Sequence, residues 1–137
     1  MRGLAWFQIV VGAAMAALWT VLVVAGEVPE IPAGQLDIYF HLAAELITAG
    51  LLVAAGTTLL RRGLARGRLL SAFALGALLY TTVNSPGYYA DLGEWAPVVM
   101  FGALAAVTAG LFVRLILRAT TDTEHTEAHP PVPAGRA

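Results

Sequence analysis

Four apolar stretches, each long enough to cross a bilayer, follow one another through this 137-residue chain, joined by connections too short to hold a domain. They run from about Leu4 to Ala25, Asp37 to Leu60, Leu69 to Ser85 and Ala96 to Leu117. Helical segments of roughly 17–25 residues, rising 1.5 Å per residue, cross a hydrocarbon core of about 30 Å. Short connections set consecutive helices side by side and antiparallel. The expected fold is all-α: an integral-membrane antiparallel four-helix bundle over residues 1–118, with both termini cytoplasmic. The third stretch is the shortest, and Asn84-Ser85-Pro86-Gly87 is expected to stop it. Proline cannot supply the next N–H of a helix, and Pro-Gly suits a turn. Residues 119–137 lack apolar periodicity and read as a disordered cytoplasmic tail.

Charged residues make up 12% of the chain, about half of what a soluble domain carries. There is no cysteine, which excludes disulfides, CxxC redox centres, thiolate metal sites and a cysteine nucleophile. A net charge of −1 argues against nucleic acid as a partner. All eight basic residues are arginines, and the abundance of Ala, Gly, Leu and Val fits a GC-rich bacterial genome.

Arginine placement sets the expected topology. The connection after the second stretch carries Arg61, Arg62, Arg66 and Arg68, while Arg2 precedes the first stretch and Arg114 and Arg118 close the fourth. The other two connections hold Glu27, Glu30, Asp37, Asp91 and Glu94 and no base. The positive-inside rule then puts the arginine connection and both termini in the cytoplasm of a multi-pass protein of the bacterial inner membrane. Topological anchoring is the favoured role for Arg61, Arg62, Arg66 and Arg68, with an anionic-lipid or partner site as the alternative. Arg2 and the apolar run to Val23-Val24-Ala25 also have the outline of a secretory signal. That run is longer than a signal core of about 7–15 residues, so it is expected to stay as a span.

Lipid tails are as apolar as leucine, so helices in a membrane associate through close packing and hydrogen bonds. Small residues recur at fourth positions: Gly102, Ala106 and Gly110; Gly12 and Ala16; Gly50 and Ala54; Ala72 and Gly76. They allow close backbone approach, within the chain or between copies of it. Most of the tryptophans and tyrosines fall near span ends, as an interfacial belt requires. Trp19 fits least well, about six residues inside the outer end.

The informative polar residues lie in the expected outer half. Asp37, His41, Glu45 and Thr48 follow i, i+4, i+8 and i+11 and share one helical face. Glu45 lies roughly 12 Å deep, where an ionisable group costs about 2.5–3.5 kcal/mol and normally faces a partner or a wet cavity. Counting inward from the span ends puts His41 level with Thr81 and Tyr80. Glu45 comes level with Ala77, with Ala17 or Leu18, and with Leu104. The expectation is an outward-opening polar pocket floored by Glu45, walled by His41, and rimmed by Asn84, Tyr88, Tyr89 and Asp91. Such a pair can relay a proton, hold a cation or bind the polar head of a lipophilic molecule. His41 and Glu45 alone do not make up a zinc set, and His125 and His129 sit in the tail, so no metal site is expected.

The run Ala44-Glu45-Leu46-Ile47-Thr48-Ala49-Gly50-Leu51-Leu52-Val53-Ala54-Ala55-Gly56, followed by arginines and a further apolar helix, resembles the DoxX-like family of small four-span bacterial membrane proteins. The likeness covers the middle third of the chain. It implies a four-helix membrane bundle, in some members a subunit associated with quinone-linked or thiol redox systems, and it carries over Glu45 alone.

Three functional readings stand. The leading one is a lipophilic-ligand-binding or redox-accessory membrane subunit, for which a quinone-like molecule is a fitting ligand and a larger membrane complex or homo-oligomer a fitting partner. The second is an oligomeric proton-coupled exporter of small molecules that uses Glu45. The third is a membrane enzyme acting on a lipid or isoprenoid with His41 or Glu45 as acid or base.

Overall fold

A computed structural model describes residues 1–61, 64–91 and 93–128, with all side chains in those ranges except those of Leu64, Tyr88, Thr120 and residues 122–128. It contains four helices: α1 (Arg2–Ala25), α2 (Leu36–Arg61), α3 (Leu64–Asp91) and α4 (Trp95–Ala128). Each is long and apolar enough to cross a membrane. Arg62 and His129 lie outside the described residues, as does the side chain of His125.

The first helix ends where glycine allows it to. Gly26 takes the left-handed conformation at φ 73°, its N–H bonds Val23 O at 3.2 Å, and the Glu27 N–H bonds Leu22 O at 3.0 Å. This is a Schellman cap, which uses the last carbonyls of the helix. The segment from Glu27 to Gln35 then turns tightly over the end of the bundle, with Val28 buried beneath it.

Helix α3 departs from expectation. It begins five residues earlier than Leu69 and continues through Asn84-Ser85-Pro86-Gly87 to Asp91. The stop comes at Gly93, at φ 75°, whose N–H reaches Ala90 O at 3.0 Å while the Glu94 N–H reaches Tyr89 O at 2.9 Å. Gly87 stays helical. Pro86 removes one rung of the ladder, the bond to the carbonyl of Thr82. In water that loss ends helices readily, because the freed groups hydrate. In hydrocarbon, leaving the helix would expose many more backbone groups, so the helix persists.

Helix α4 runs past Arg118 to Ala128, over residues where a disordered tail is expected. No Gly or Pro interrupts 119–128, and Pro130 disfavours helical geometry only at the residue before it.

The helices pack in chain order, α1 on α2, α2 on α3 and α3 on α4. Leu52 and Ala55 of α2 and Ala74 and Leu78 of α3 form the buried centre, with Phe7, Val11 and Met15 of α1 and Leu104 of α4 against it. Glycine sets the tightest approach. A Cβ on Gly12 would meet Ala49 O at 2.6 Å, and one on Gly56 would meet Ala5 O at 2.5 Å. The two contacts run seven residues up α1 and seven down α2, the register of an antiparallel pair. Gly50, Gly76, Gly102 and Gly110 have open space beside them, so these glycines set no close helix approach within the chain.

Gly56→Ala and Gly12→Ala should therefore each destabilise the protein by about 1–3 kcal/mol, since backbone oxygen cannot yield as a side-chain tip can. Gly102→Ala should stay within about 0.5 kcal/mol. Thermal unfolding of the three variants in one detergent makes the comparison.

Candidate functional site

The face of α2 that carries Asp37, His41, Glu45 and Thr48 supplies the site. Glu45 is only 7% exposed, and each of its carboxylate oxygens has a donor from a different helix. The Trp19 indole N–H of α1 donates to Oε2 at 2.9 Å, and the Ser85 hydroxyl of α3 donates to Oε1 at 2.9 Å. His41 Nε2 stands 3.7 Å from Oε1, too far for a hydrogen bond but close enough for an ion pair when the ring is protonated. The Trp19 and His41 rings meet edge to face, with centroids 5.8 Å apart. One indole thus orients both the carboxylate and the imidazole.

These groups line a cavity of about 460 Å³ at one end of the bundle. Its apolar wall comes from Leu18 and Leu22 of α1, Ile38 of α2 and Phe101 of α4. Glu27, Val28, Glu30 and Gln35 of the α1–α2 connection reach it from above, and Asn84, Ser85 and Tyr89 complete the α3 side. Tyr89 stacks on Phe101 with centroids 5.9 Å apart, which joins the α3 and α4 walls. The volume falls in the range of small-molecule sites, roughly 300–1,000 Å³. Among the described residues, four carboxylates, Glu27, Glu30, Asp37 and Glu45, border this cavity and no arginine does. Its potential favours a cation or a hydrogen-bond donor over an anion.

His41, Glu45 and Asn84 all line this cavity. Thr81 does not join them: it is buried, and its hydroxyl donates to Leu78 O of its own helix at 3.0 Å. Tyr80 is 68% exposed on the outside of the bundle. Neighbours on a helix point about 100° apart, so Tyr80 and Thr81 cannot both face inward. The side chain of Tyr88 lies outside the described residues, and Asp91 is exposed and does not line the cavity. Arg61 and Arg66 are exposed at the far end of the bundle, and Arg68 is half-buried there.

Sequence reasoning matched Glu45 with Ala77, whereas the structure brings it to Ser85. The error follows from counting inward from a helix end placed six residues too early. Trp19 did leave a signal, since a tryptophan well inside a span is misplaced for an interfacial belt. Gln8 left one too, as the single amide within the first span. Fully buried, it accepts from the Ser71 hydroxyl at 3.1 Å and bonds the Ser71 carbonyl at 3.5 Å.

Removing one donor strands a buried acceptor, so Trp19→Phe and Ser85→Ala should each lower stability by about 1–3 kcal/mol. A double-mutant cycle of Trp19→Phe with Glu45→Gln should give a coupling of at least about 0.5 kcal/mol in thermal unfolding.

No curated protein and no solved structure matches the chain, and nothing in these comparisons links it to the DoxX-like family. A family model described as Domain of unknown function (DUF8058) matches residues 1–129. The match spans all four helices and the whole of the Glu45 cavity, and the chain belongs to this family.

Proposed function

We propose that this protein is a membrane-embedded binding protein for a small amphiphilic molecule, serving alone or as a subunit of a larger redox or transport complex. The observation that carries the reading is the cavity of about 460 Å³ whose innermost polar group is a carboxylate held by donors from two other helices. A ligand's polar head would meet Glu45 and His41, and its apolar body would lie against Leu18, Leu22 and Phe101. The carboxylates around the mouth select a cationic or hydrogen-bond-donating head. A reduced, quinol-like ring qualifies through its hydroxyls, as does a protonated amine.

The charge pattern supports the orientation. Arginines gather at the end where α1 begins and α4 leaves the membrane, and carboxylates gather at the cavity end. By the positive-inside rule the arginine end faces the cytoplasm and the cavity opens outward. The chain has no cysteine, so single-cysteine reporters are clean. Ala33→Cys should react with a membrane-impermeant maleimide added to intact cells, and Arg66→Cys should react only after permeabilisation. The reverse pattern would invert the topology.

The pocket is tested by native mass spectrometry from mild detergent. Wild-type protein should retain a small molecule that Glu45→Gln loses, and a long-chain amine should displace it at least about tenfold better than a carboxylate of equal length. Equal retention by both proteins would remove Glu45 from ligand binding. The 3.7 Å spacing of His41 and Glu45 also suits a proton-coupled exporter. Ligand flux that follows an imposed pH gradient in proteoliposomes, and stops in Glu45→Gln, would favour that second reading.

A further inference from the structure

The opposite end of the bundle carries a second cavity, of about 220 Å³, between the first turn of α1 and the last turns of the α4 span. Helix α4 contributes Leu111, Arg114, Leu115 and Arg118, spaced i, i+3, i+4 and i+7 along one face. Helix α1 contributes Gly3 and Leu4. Among the described residues, no carboxylate lines this cavity. Among the described residues, neither Arg114 nor Arg118 makes an ion pair or a side-chain hydrogen bond.

The α1 end adds to the positive character. Its first backbone bond runs from the Ala5 N–H to Met1 O at 3.1 Å, so the N–H groups of Gly3 and Leu4 have no acceptor within the helix. The N-cap makes no side-chain hydrogen bond, and the first turn contains no acidic residue. A helix N-terminus of this kind carries about half a positive charge and binds anions. Two guanidiniums one turn apart thus converge with that dipole on a space that no carboxylate of the described residues borders. Like charges repel most strongly near hydrocarbon, where solvent screens them least. An anion between them turns three repulsions into three attractions.

We propose that this cavity binds the phosphate of a membrane lipid. The guanidiniums of Arg114 and Arg118 and the N–H groups of Gly3 and Leu4 would share the phosphate oxygens, and Leu4, Leu111 and Leu115 would take the carbons that follow. The apolar half of the lining is what selects a lipid over free phosphate. The cavity has room for a phosphate and the carbons next to it, with the remaining acyl chain lying in the bilayer. Arg61 and Arg66 line neither cavity, so this site is separate from the arginine connection, and it is independent of the Glu45 pocket.

The test adds dioleoyl phosphatidylglycerol to delipidated protein in mild detergent and counts retained lipid by native mass spectrometry. Wild type should keep one lipid per chain. Arg114→Gln/Arg118→Gln should bind it about thirtyfold more weakly, at about 1 kcal/mol per basic residue. Arg61→Gln/Arg66→Gln, with the same change of net charge, should lose less than about threefold. Equal losses in the two double variants would reduce the effect to general surface charge and overturn the proposal, as would no loss in the first. Displacement of the lipid by millimolar inorganic phosphate would assign the cavity to a free anion and overturn the lipid source. Should the first variant fail to fold, Arg114→Lys/Arg118→Lys and the wild type decide. Both should gain thermal stability from phosphatidylglycerol over phosphatidylcholine, and no gain in either would refute the site.

Discussion

Three helices meet at one carboxylate. Glu45 belongs to α2, its two oxygens are held from α1 and α3, and the imidazole one turn away rests on the indole that holds it. In a bilayer, which each of these helices is long and apolar enough to cross, the solvent is as apolar as their own side chains, so burial of leucine gives little reason for them to associate. A charged or half-charged group in that setting is costly unless its partners are fixed in place. The clasp therefore sets more than a local contact. It fixes the rotation of α1 and α3 about their axes and requires α3 to extend far enough for Ser85 to reach the carboxylate. Gln8 and Ser71 repeat the arrangement on a smaller scale between α1 and α3, in the half of the bundle nearer the arginines. Gly12, between the two polar clasps, and Gly56, level with the Gln8 clasp, let α1 and α2 close to backbone contact.

Charge is sorted along the bundle as strictly as polarity is sorted across it. Carboxylates border the larger cavity, arginines border the smaller, and the helices between carry little that could neutralise either. The two ends therefore present opposite potentials within a single span of bilayer. Each is suited to a ligand that the other would reject. In the orientation and function proposed above, topology and ligand preference would share this one physical cause.

Much of this was legible from residue order. The four spans follow from apolar length, and the shared face of Asp37, His41 and Glu45 follows from a 3.6-residue period. What failed was a rule carried over from water. Pro86 and Gly87 look like a helix stop because in solvent the backbone has somewhere else to turn, and in lipid it has not. That single misreading displaced the α3 end, concealed Ser85 and put Ala77 in its place. Tyr80 failed for a different reason: matching levels along the membrane says nothing about which way a side chain points. Trp19 was noticed as ill-placed, yet its partner depended on the relative rotation of α1 and α2. The Gly12 and Gly56 contacts set that rotation together with the clasp, and many small-residue repeats in the chain look alike. Gly12 and Gly56 meet the facing helix of that pair, whereas Gly102 and Gly110 have open space beside them.

The proline in α3 also makes the larger cavity mechanically uneven. The missing rung lies at the level of Ser85, so the wall beneath it is braced by a continuous ladder. The turn above, which carries Tyr89, has one tie fewer. Small bending displacements then concentrate at the mouth, while the carboxylate beneath stays anchored to three helices. For the amphiphilic ligand proposed above, a site built this way would be stiff at the head group and compliant along the body. It would then take one chemistry of head on bodies of different girth.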